Sequence, residues 1–181
     1  MESVGYRTGS IADATRRDWD HRGPRPIRWS AWYPCAAGSA AAPVPGLFAL
    51  GAVASDARLP ATPDRFHVIV LSHGTGGSPE SLGWLAGALA RAGHVVIGAH
   101  HHGNTAAEPY RSEAFLCWWE RAADLSALLD GLSTTGPFAG RLETRRAGAR
   151  GFSLGCHSVL SLLGARSDMA LFEAWMAAYT F

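Results

Sequence analysis

The most constraining feature of this chain is the segment Gly151-Phe152-Ser153-Leu154-Gly155. It follows a short apolar run flanked by arginines, residues 146–150, and precedes a segment with helical character, residues 156–165. A serine between two glycines at such a junction matches the G-x-S-x-G pattern, in which a sharp turn strains the serine backbone. The glycines let strand and helix cross closely, and the helix directs its free N–H groups at the serine oxygen. The sequence therefore predicts Ser153 as a nucleophile for acyl transfer.

A second motif lies upstream, where the run Phe66–Leu71 predicts a buried parallel strand. The strand leads directly into Ser72-His73-Gly74-Thr75-Gly76-Gly77, which matches the H-G-x-G loop that holds an oxyanion in esterases. We expect the backbone N–H groups of Leu154 and Thr75 to bind the oxyanion. His73, Gly74 and His101 are predicted to line the substrate pocket.

Three further stretches carry a family resemblance: Val4–Arg7, the segment Arg25–Pro34 with its Trp-Tyr-Pro ending, and His94–Ala99 followed by His101-His102-Gly103-Asn104-Thr105. Together with the two motifs above, they make the chain resemble the dienelactone-hydrolase-like and platelet-activating-factor-acetylhydrolase-like branch of the α/β-hydrolase superfamily. The resemblance implies hydrolysis of an ester or lactone through an acyl-enzyme. One departure is His100, which occupies a position where that branch usually has an aspartate.

The order of predicted elements also indicates the fold class. Helices are predicted at residues 79–92, with Ser78 as N-cap and Gly93 as terminator, and at about residues 113–132. Alternating strands and helices are typical of a parallel sheet covered on both faces. We therefore predict one α/β domain over residues 1–181, a three-layer sandwich with a mostly parallel sheet of the α/β-hydrolase type. Residues 36–46 are expected to form a surface loop, and residues 47–65 look irregular.

Composition excludes several other functions. All sixteen basic residues are arginine, so the chain has no lysine for a Walker A loop or for a pyridoxal Schiff base. A net charge of +1 gives no attraction to nucleic acid, and no run is long enough for a membrane span. We expect no cofactor, no metal, three free buried thiols and a cytoplasmic location. The residues also argue against a dinucleotide-binding loop, because G-x-G-x-x-G would require glycine at Pro79.

The region after Ser153 does not complete a catalytic triad. In this fold the acid follows the serine and the histidine follows the acid, but His157 precedes both Asp168 and Glu173. We expect the upstream histidines to brace loops, and His157 to pack against its helix instead of reaching the serine. The tail Asp168–Phe181 is predicted to form an amphipathic helix that includes Tyr179.

Two interpretations of the chain therefore remain open. One is a serine hydrolase that is impaired because the chain is the amino-terminal portion of a longer enzyme. The other is an inactive hydrolase-like interaction module or gene fragment. In either case the strand before Ser153 would have an unpaired edge, so self-association is expected. The aromatic side chains of Trp84, Tyr110, Trp118 and Trp119 are expected to belong to the core, with a pocket lining as the alternative.

Overall fold

The computed structural model describes residues 4–178. Within that range the strands are β1 (Val4–Arg17), β2 (Pro24–Pro34), β3 (Ala42–Pro43), β4 (Ala52–Ser55), β5 (Phe66–Ser72), β6 (Val95–His100) and β7 (Leu142–Gly151). The helices are α1 (Gly83–Arg91), α2 (Ser112–Leu116), α3 (Glu120–Thr134), α4 (Leu154–Leu162) and α5 (Met169–Ala178), with short 3-10 helices at Pro79–Leu82 and Gly136–Phe138.

The strands form one mixed seven-stranded sheet in the order β3-β4-β1-β2-β6-β5-β7. Strand β5 lies between β6 and β7 and is parallel to both. Strand β2 pairs with β6 in antiparallel orientation, and β1 pairs with β2 in the same way. Strands β5 and β6 are expected from their largely apolar runs, because a strand covered on both faces needs no polar alternation. The parallel half of the sheet positions the site, since its strands all end at the same edge.

Helices cover both faces of the sheet and produce the predicted three layers. Helix α1 packs on one face with a cluster formed by Val4, Tyr6, Trp32, Val53, Leu71, Leu82, Ala86, Ala90 and Val96. Helix α3 packs on the other face, where Leu125, Leu128 and Leu132 join the larger cluster around Ile27, Val68 and Ile97. Helix α4 contacts β7, α3 and β5. The predicted α/β-hydrolase class of fold is confirmed.

Helix α3 is shorter than the predicted helix at residues 113–132. The chain leaves helical geometry at Cys117, whose φ is −93° and ψ is 53°, so a short α2 is separated from α3. This break changes which side chains face the sheet, and Leu116 and Trp119 are 60% and 54% exposed. The expectation that Trp119 belongs to the core was wrong. Trp84 and Tyr110 are also exposed, so they do not belong to the core either.

Other local expectations are met in part. Ser78 occupies the N-cap position of the 3-10 helix before α1, but its side chain makes no capping hydrogen bond. The segment 47–65 is not wholly irregular, because β4 pairs with β1 and with the short β3. Cys117 and Cys156 are free, as predicted, but Cys156 is exposed, and of the three cysteines only Cys35 is buried.

The tail forms α5, and all its described side chains are exposed. Tyr179, which the sequence placed in this helix, lies outside the described residues. No helix within residues 4–178 is long and apolar enough to cross a membrane.

Candidate active site

Ser153 lies in the turn between β7 and α4 and has a strained backbone. Its φ is 52° and its ψ is −122°, a region that residues with a Cβ rarely occupy. A Cβ on Gly151 would overlap the carbonyl oxygen of Gly155 and approach the backbone nitrogen of Cys156 to 2.6 Å. A Cβ on Gly155 would overlap the carbonyl oxygen of Ser72. The strained backbone of Ser153 and the close crossing at both glycines are therefore as predicted.

The parallel strands bring three loops together beside this turn. In the sheet register Ser72 on β5 pairs with both Ala99 on β6 and Gly151 on β7, so the carboxyl ends of the strands coincide. The backbone N–H of Phe152 donates to the carbonyl oxygen of Ser72 over 3.1 Å, which attaches the turn directly to β5. Ser153 itself is exposed.

The loop after β5 lies against Ser153. A Cβ on Gly74 would be 3.2 Å from the Cβ of Ser153, so no side chain fits at Gly74 without movement. The loop closes on itself through a hydrogen bond from the Gly77 N–H to the Gly74 carbonyl oxygen at 3.2 Å. Thr75 lies inside this turn and is exposed. Leu154 is the first residue of α4, where a backbone N–H has no acceptor within the helix.

His73 does not line an open pocket, because its side chain is fully buried beneath the loop. Its Nδ1 donates to the Gly74 carbonyl oxygen over 2.7 Å, and its Nε2 accepts from the His101 N–H over 3.4 Å. Burial holds the pKa of His73 well below its ordinary value, so the ring is neutral. The predicted pocket role of His73 does not agree with this burial, whereas a role in bracing the loop does.

His101 is fully buried as well, so the pocket role expected for it also disagrees with its position. Burial lowers the pKa of His101 to about 4. The neutral ring donates from Nδ1 to Asp124 over 3.1 Å and contacts the Ser72 hydroxyl through Nε2 over 2.9 Å. Of the three predicted pocket residues, only Gly74 lies next to Ser153.

The sequence did not identify Asp124, a fully buried carboxylate on α3. Arg25 donates to it over 2.7 Å and 3.2 Å, and Arg16 forms an ion pair with it at 2.9 Å. Burial opposes ionisation of Asp124, but the hydrogen bond from His101 and the ion pair with Arg25 outweigh it and hold the pKa of the carboxyl below its usual range. A charged residue on the apolar face of a predicted helix was the available signal.

The sequence did not identify Arg121 either. It lies one turn before Asp124 on the same helix face, so the available signal was again a charged residue on an apolar face. Its guanidinium is buried and donates to the Ser158 hydroxyl, the Asn104 side-chain oxygen and the His73 carbonyl oxygen. Burial lowers the pKa of Arg121 to about 10, and the nearby charge of Asp124 limits the decrease. At ordinary pH the group keeps its positive charge.

His100 replaces the aspartate that the resemblance led us to expect, and a carboxylate from another segment lies beside it. Its Nε2 is 3.6 Å from a carboxylate oxygen of Glu80, and its Nδ1 contacts the Thr105 hydroxyl over 3.1 Å. Tyr6 and Ser30 donate to the same carboxylate. This cluster borders a cavity of about 250 Å³ lined also by the apolar side chains Val44, Leu47, Phe48 and Leu50.

The three consecutive histidines make separate contacts. His102 pairs with Glu108 at 2.8 Å, and its ring stacks on Trp19, whereas His100 and His101 bond to the groups described above. Within residues 4–178, no three histidine, cysteine or acidic side chains are arranged to hold a metal ion. The histidines therefore brace loops, as expected from the sequence.

The polar residues after Ser153 lie elsewhere. His157 contacts the Ser161 hydroxyl of its own helix at 3.5 Å, as expected, and it also contacts the Ser167 hydroxyl at 3.3 Å and the ring of Trp118. Asp168 accepts from the Leu171 N–H over 2.9 Å at the start of α5. In the described part of the chain, no histidine forms a hydrogen bond with the Ser153 hydroxyl.

The mixed sheet, the strained serine between two close-packed glycines and the adjoining glycine loop define the α/β-hydrolase fold. The solved structures that are similar to this chain include two esterases. One is a ferulic acid esterase from Streptomyces cinnamoneus, with 24% identity and a TM-score of 0.72 over 89% of this chain. The other is a PEG-bound cold-adapted esterase from an Arctic intertidal metagenomic library, with 19% identity and a TM-score of 0.51 over 88% of this chain.

The chain spans 55% of the length of each of these two structures. At these identities the similarity is one of fold. No family model matches the chain, and no curated protein matches it in sequence.

Proposed function

We propose that Ser153 is the nucleophile of a serine hydrolase that cleaves carboxylic esters or lactones. The observation that carries this proposal is the backbone of Ser153, which has a φ of 52° at an exposed position between two glycines. A strained residue of this kind costs roughly 1–3 kcal/mol, and such strain clusters at active sites. Both structural neighbours are named as esterases, which supports an ester as the substrate class.

The proposed reaction proceeds in two steps. The Ser153 oxygen forms a bond to the ester carbonyl carbon and loses its proton, and the alcohol leaves with a proton to give an acyl-enzyme. Water then attacks the acyl carbon and releases the acid and the free serine. In each step the N–H groups of Leu154 and Thr75 stabilise the negatively charged oxygen. No cofactor or metal takes part in this scheme.

The proton acceptor is the missing element of the scheme. Among residues 4–178 no histidine forms a hydrogen bond with the Ser153 hydroxyl, and in this proposal solvent accepts the proton. An oxyanion site without a complete triad still gives roughly 10³–10⁴-fold acceleration over water. We therefore expect a weak esterase. We also propose that it belongs to the dienelactone-hydrolase-like branch and that it is located in the cytoplasm.

The same observation favours a second candidate, an inactive hydrolase-like interaction module. Hydrolysis of p-nitrophenyl acetate separates the two candidates. The wild-type chain should be slow but faster than Ser153→Ala, and added imidazole should accelerate the wild type more than the variant because it supplies a base. The matched control is Ser161→Ala, a change on the same helix at a residue that contacts His157.

Each outcome has a distinct meaning. Equal rates for the wild type and Ser153→Ala, with and without imidazole, would support the inactive module. Efficient turnover that disappears in Ser153→Ala would show that a base already acts within the chain. Loss of activity in Ser161→Ala as well would point to general damage of α4 instead of loss of a nucleophile.

A further inference from the structure

Arg121 joins the separate segments that meet at the candidate active site. Its side chain is 1% exposed and extends from α3 beneath the loop after β5. Nε donates to the Ser158 hydroxyl over 3.0 Å, one Nη to the Asn104 side-chain oxygen over 3.4 Å, and the other Nη to the His73 carbonyl oxygen. One guanidinium thus contacts α4, the loop after β6 and the loop after β5.

We propose that Arg121 is a positioning residue that fixes the N–H groups of Thr75 and Leu154 relative to each other. The inference rests on the proposed function, because it takes these two groups as the oxyanion donors. Two sets of hydrogen bonds support it, one on each side of the oxyanion site.

The first set holds Thr75 from both ends. The His73 carbonyl oxygen, two residues before it, accepts from Arg121. The Gly76 N–H, one residue after it, donates over 2.7 Å to the Asn104 oxygen that also accepts from Arg121. The backbone on both sides of Thr75 is therefore linked to the same guanidinium, directly at His73 and through Asn104 at Gly76.

The second set holds Leu154. The Ser158 hydroxyl accepts from Arg121 and donates to the Leu154 carbonyl oxygen over 3.2 Å. Leu154 is the residue that begins α4, so this bond ties the start of the helix to Arg121. A shift of the guanidinium would therefore be transmitted to both proposed donors at once.

The chemistry of this position requires an arginine. The acceptors lie on different segments, and the planar guanidinium offers five N–H groups in a fixed fork, whereas a lysine offers one compact ammonium. Burial of a charge is costly, and an apolar side chain would fill the same space at lower cost. Packing alone therefore does not account for a guanidinium at residue 121.

The test compares Arg121→Lys and Ser158→Ala in the full chain with Arg141→Lys as control. Arg141 likewise donates to backbone carbonyl oxygens, those of Pro60, Pro63 and Asp64, but at the opposite end of β5. The first readout is the pair of backbone amide NMR signals of Thr75 and Leu154. Both signals should move in both test variants and neither should move in the control.

The second readout is the Ser153-dependent hydrolysis of p-nitrophenyl acetate. In Arg121→Lys, kcat should fall by about tenfold to a hundredfold with KM within about twofold, because misplaced oxyanion donors weaken mainly the transition state. A general loss of structure would instead change both constants together with the melting temperature. If Arg121→Lys does not fold, the test of the positioning role rests on Ser158→Ala, which is the smaller change because it removes only one hydroxyl group.

The outcomes separate this inference from the proposed function. Movement of the Leu154 signal without the Thr75 signal in Ser158→Ala would overturn the positioning role, as would a proportional change of kcat and KM in Arg121→Lys. Equal hydrolysis by the wild type and Ser153→Ala would defeat the proposed function. In that case the two amide signals would still decide whether Arg121 couples the two segments.

Discussion

Gly155 lies where helix α4 crosses the end of β5, and the structure leaves no room for a side chain there. A Cβ would overlap the Ser72 carbonyl oxygen and approach the His73 carbonyl oxygen to 2.9 Å. Gly155→Val should therefore destabilise the protein by well over the roughly 1 kcal/mol that is typical of a point substitution. Urea denaturation measures the change.

Two controls accompany this experiment. Ser153→Ala should alter the free energy of unfolding by less than about 0.5 kcal/mol, because alanine and serine share the same Cβ at the same strained φ. Gly46→Val, in an exposed loop where a Cβ meets nothing closer than 3.9 Å, should also be nearly neutral. If Gly155→Val were as stable as Gly46→Val, the close crossing at the turn would be disproved.

His101 should make stability depend on pH. Its pKa is about 4 in the folded protein, against about 6.5 in an unfolded chain. Between these values the unfolded state binds more protons than the folded state, so the free energy of unfolding should fall as the pH falls from 6.5 toward 4. Above pH 6.5 this group contributes no slope.

The measurement is urea denaturation at pH 7, 6 and 5 for the wild type and for His101→Gln. The variant should lose part of the slope, and the remainder should come from His73, whose pKa is shifted in the same direction. His67→Gln, a change at an exposed histidine, serves as the control and should keep the wild-type slope. Identical slopes for the wild type and His101→Gln would contradict a buried neutral ring.

At the residue scale, the turn was predictable and the network below it was not. The sterics of Gly151, Ser153 and Gly155 are local, so five consecutive residues carry the information. Arg121 and Asp124 acquire their roles from groups that lie far away in the chain, such as Ser158 for the former and Arg25 for the latter. A single sequence shows only that two charges share a helix face with leucines.

At the scale of elements, β7 is one of the two edge strands of the described sheet. It pairs with β5 alone, and its register is interrupted between Glu143 and Gly148, where Arg145 and Arg146 lie exposed. Charges and bulges at an edge oppose the addition of another strand. Self-association through this edge should therefore increase with salt, because the screening length falls from about 10 Å at 0.1 M to about 3 Å at 1 M.

Sedimentation velocity at these two salt concentrations measures the effect. The double change Arg145→Ser and Arg146→Ser should raise the oligomer fraction at low salt, since it removes the repulsion at the edge. The control, Arg22→Ser and Arg91→Ser, removes the same charge from exposed positions away from β7. Equal oligomer fractions in both double variants would show that the edge is not the site of association.

The elements themselves were predicted unevenly. Strand β5 was predicted closely, because a continuous apolar run bounded by loop residues is a strong signal. The break between α2 and α3 was missed, because apolar spacing continues through Cys117 although the backbone does not. Strand β4 was missed because only four residues form it and its pairing partner β1 lies far away in the sequence.

At the scale of the whole molecule, three charged side chains are buried, whereas several large apolar side chains are exposed. Arg25, Arg121 and Asp124 are buried beneath the loops of the candidate active site. By contrast, an apolar surface on α4 and α5 is exposed, formed by Leu160, Leu163, Leu171, Trp175 and Met176. We call it the α4–α5 surface. Exposed apolar surface is typical of contact sites.

The α4–α5 surface should drive self-association at micromolar to millimolar concentration, independently of the β7 edge. Leu163 and Leu171 are 74% and 69% exposed, so the double change to glutamate should alter the free energy of unfolding by less than about 1 kcal/mol in total. It should nevertheless reduce the oligomer fraction in sedimentation and the binding of an apolar dye.

A wild-type chain that sediments as a single monomer and melts sharply would contradict association by either route. If the wild type associates but the glutamate variant associates equally, hydrogen exchange decides, because pairing at β7 would protect its amides and contact through the helices would not.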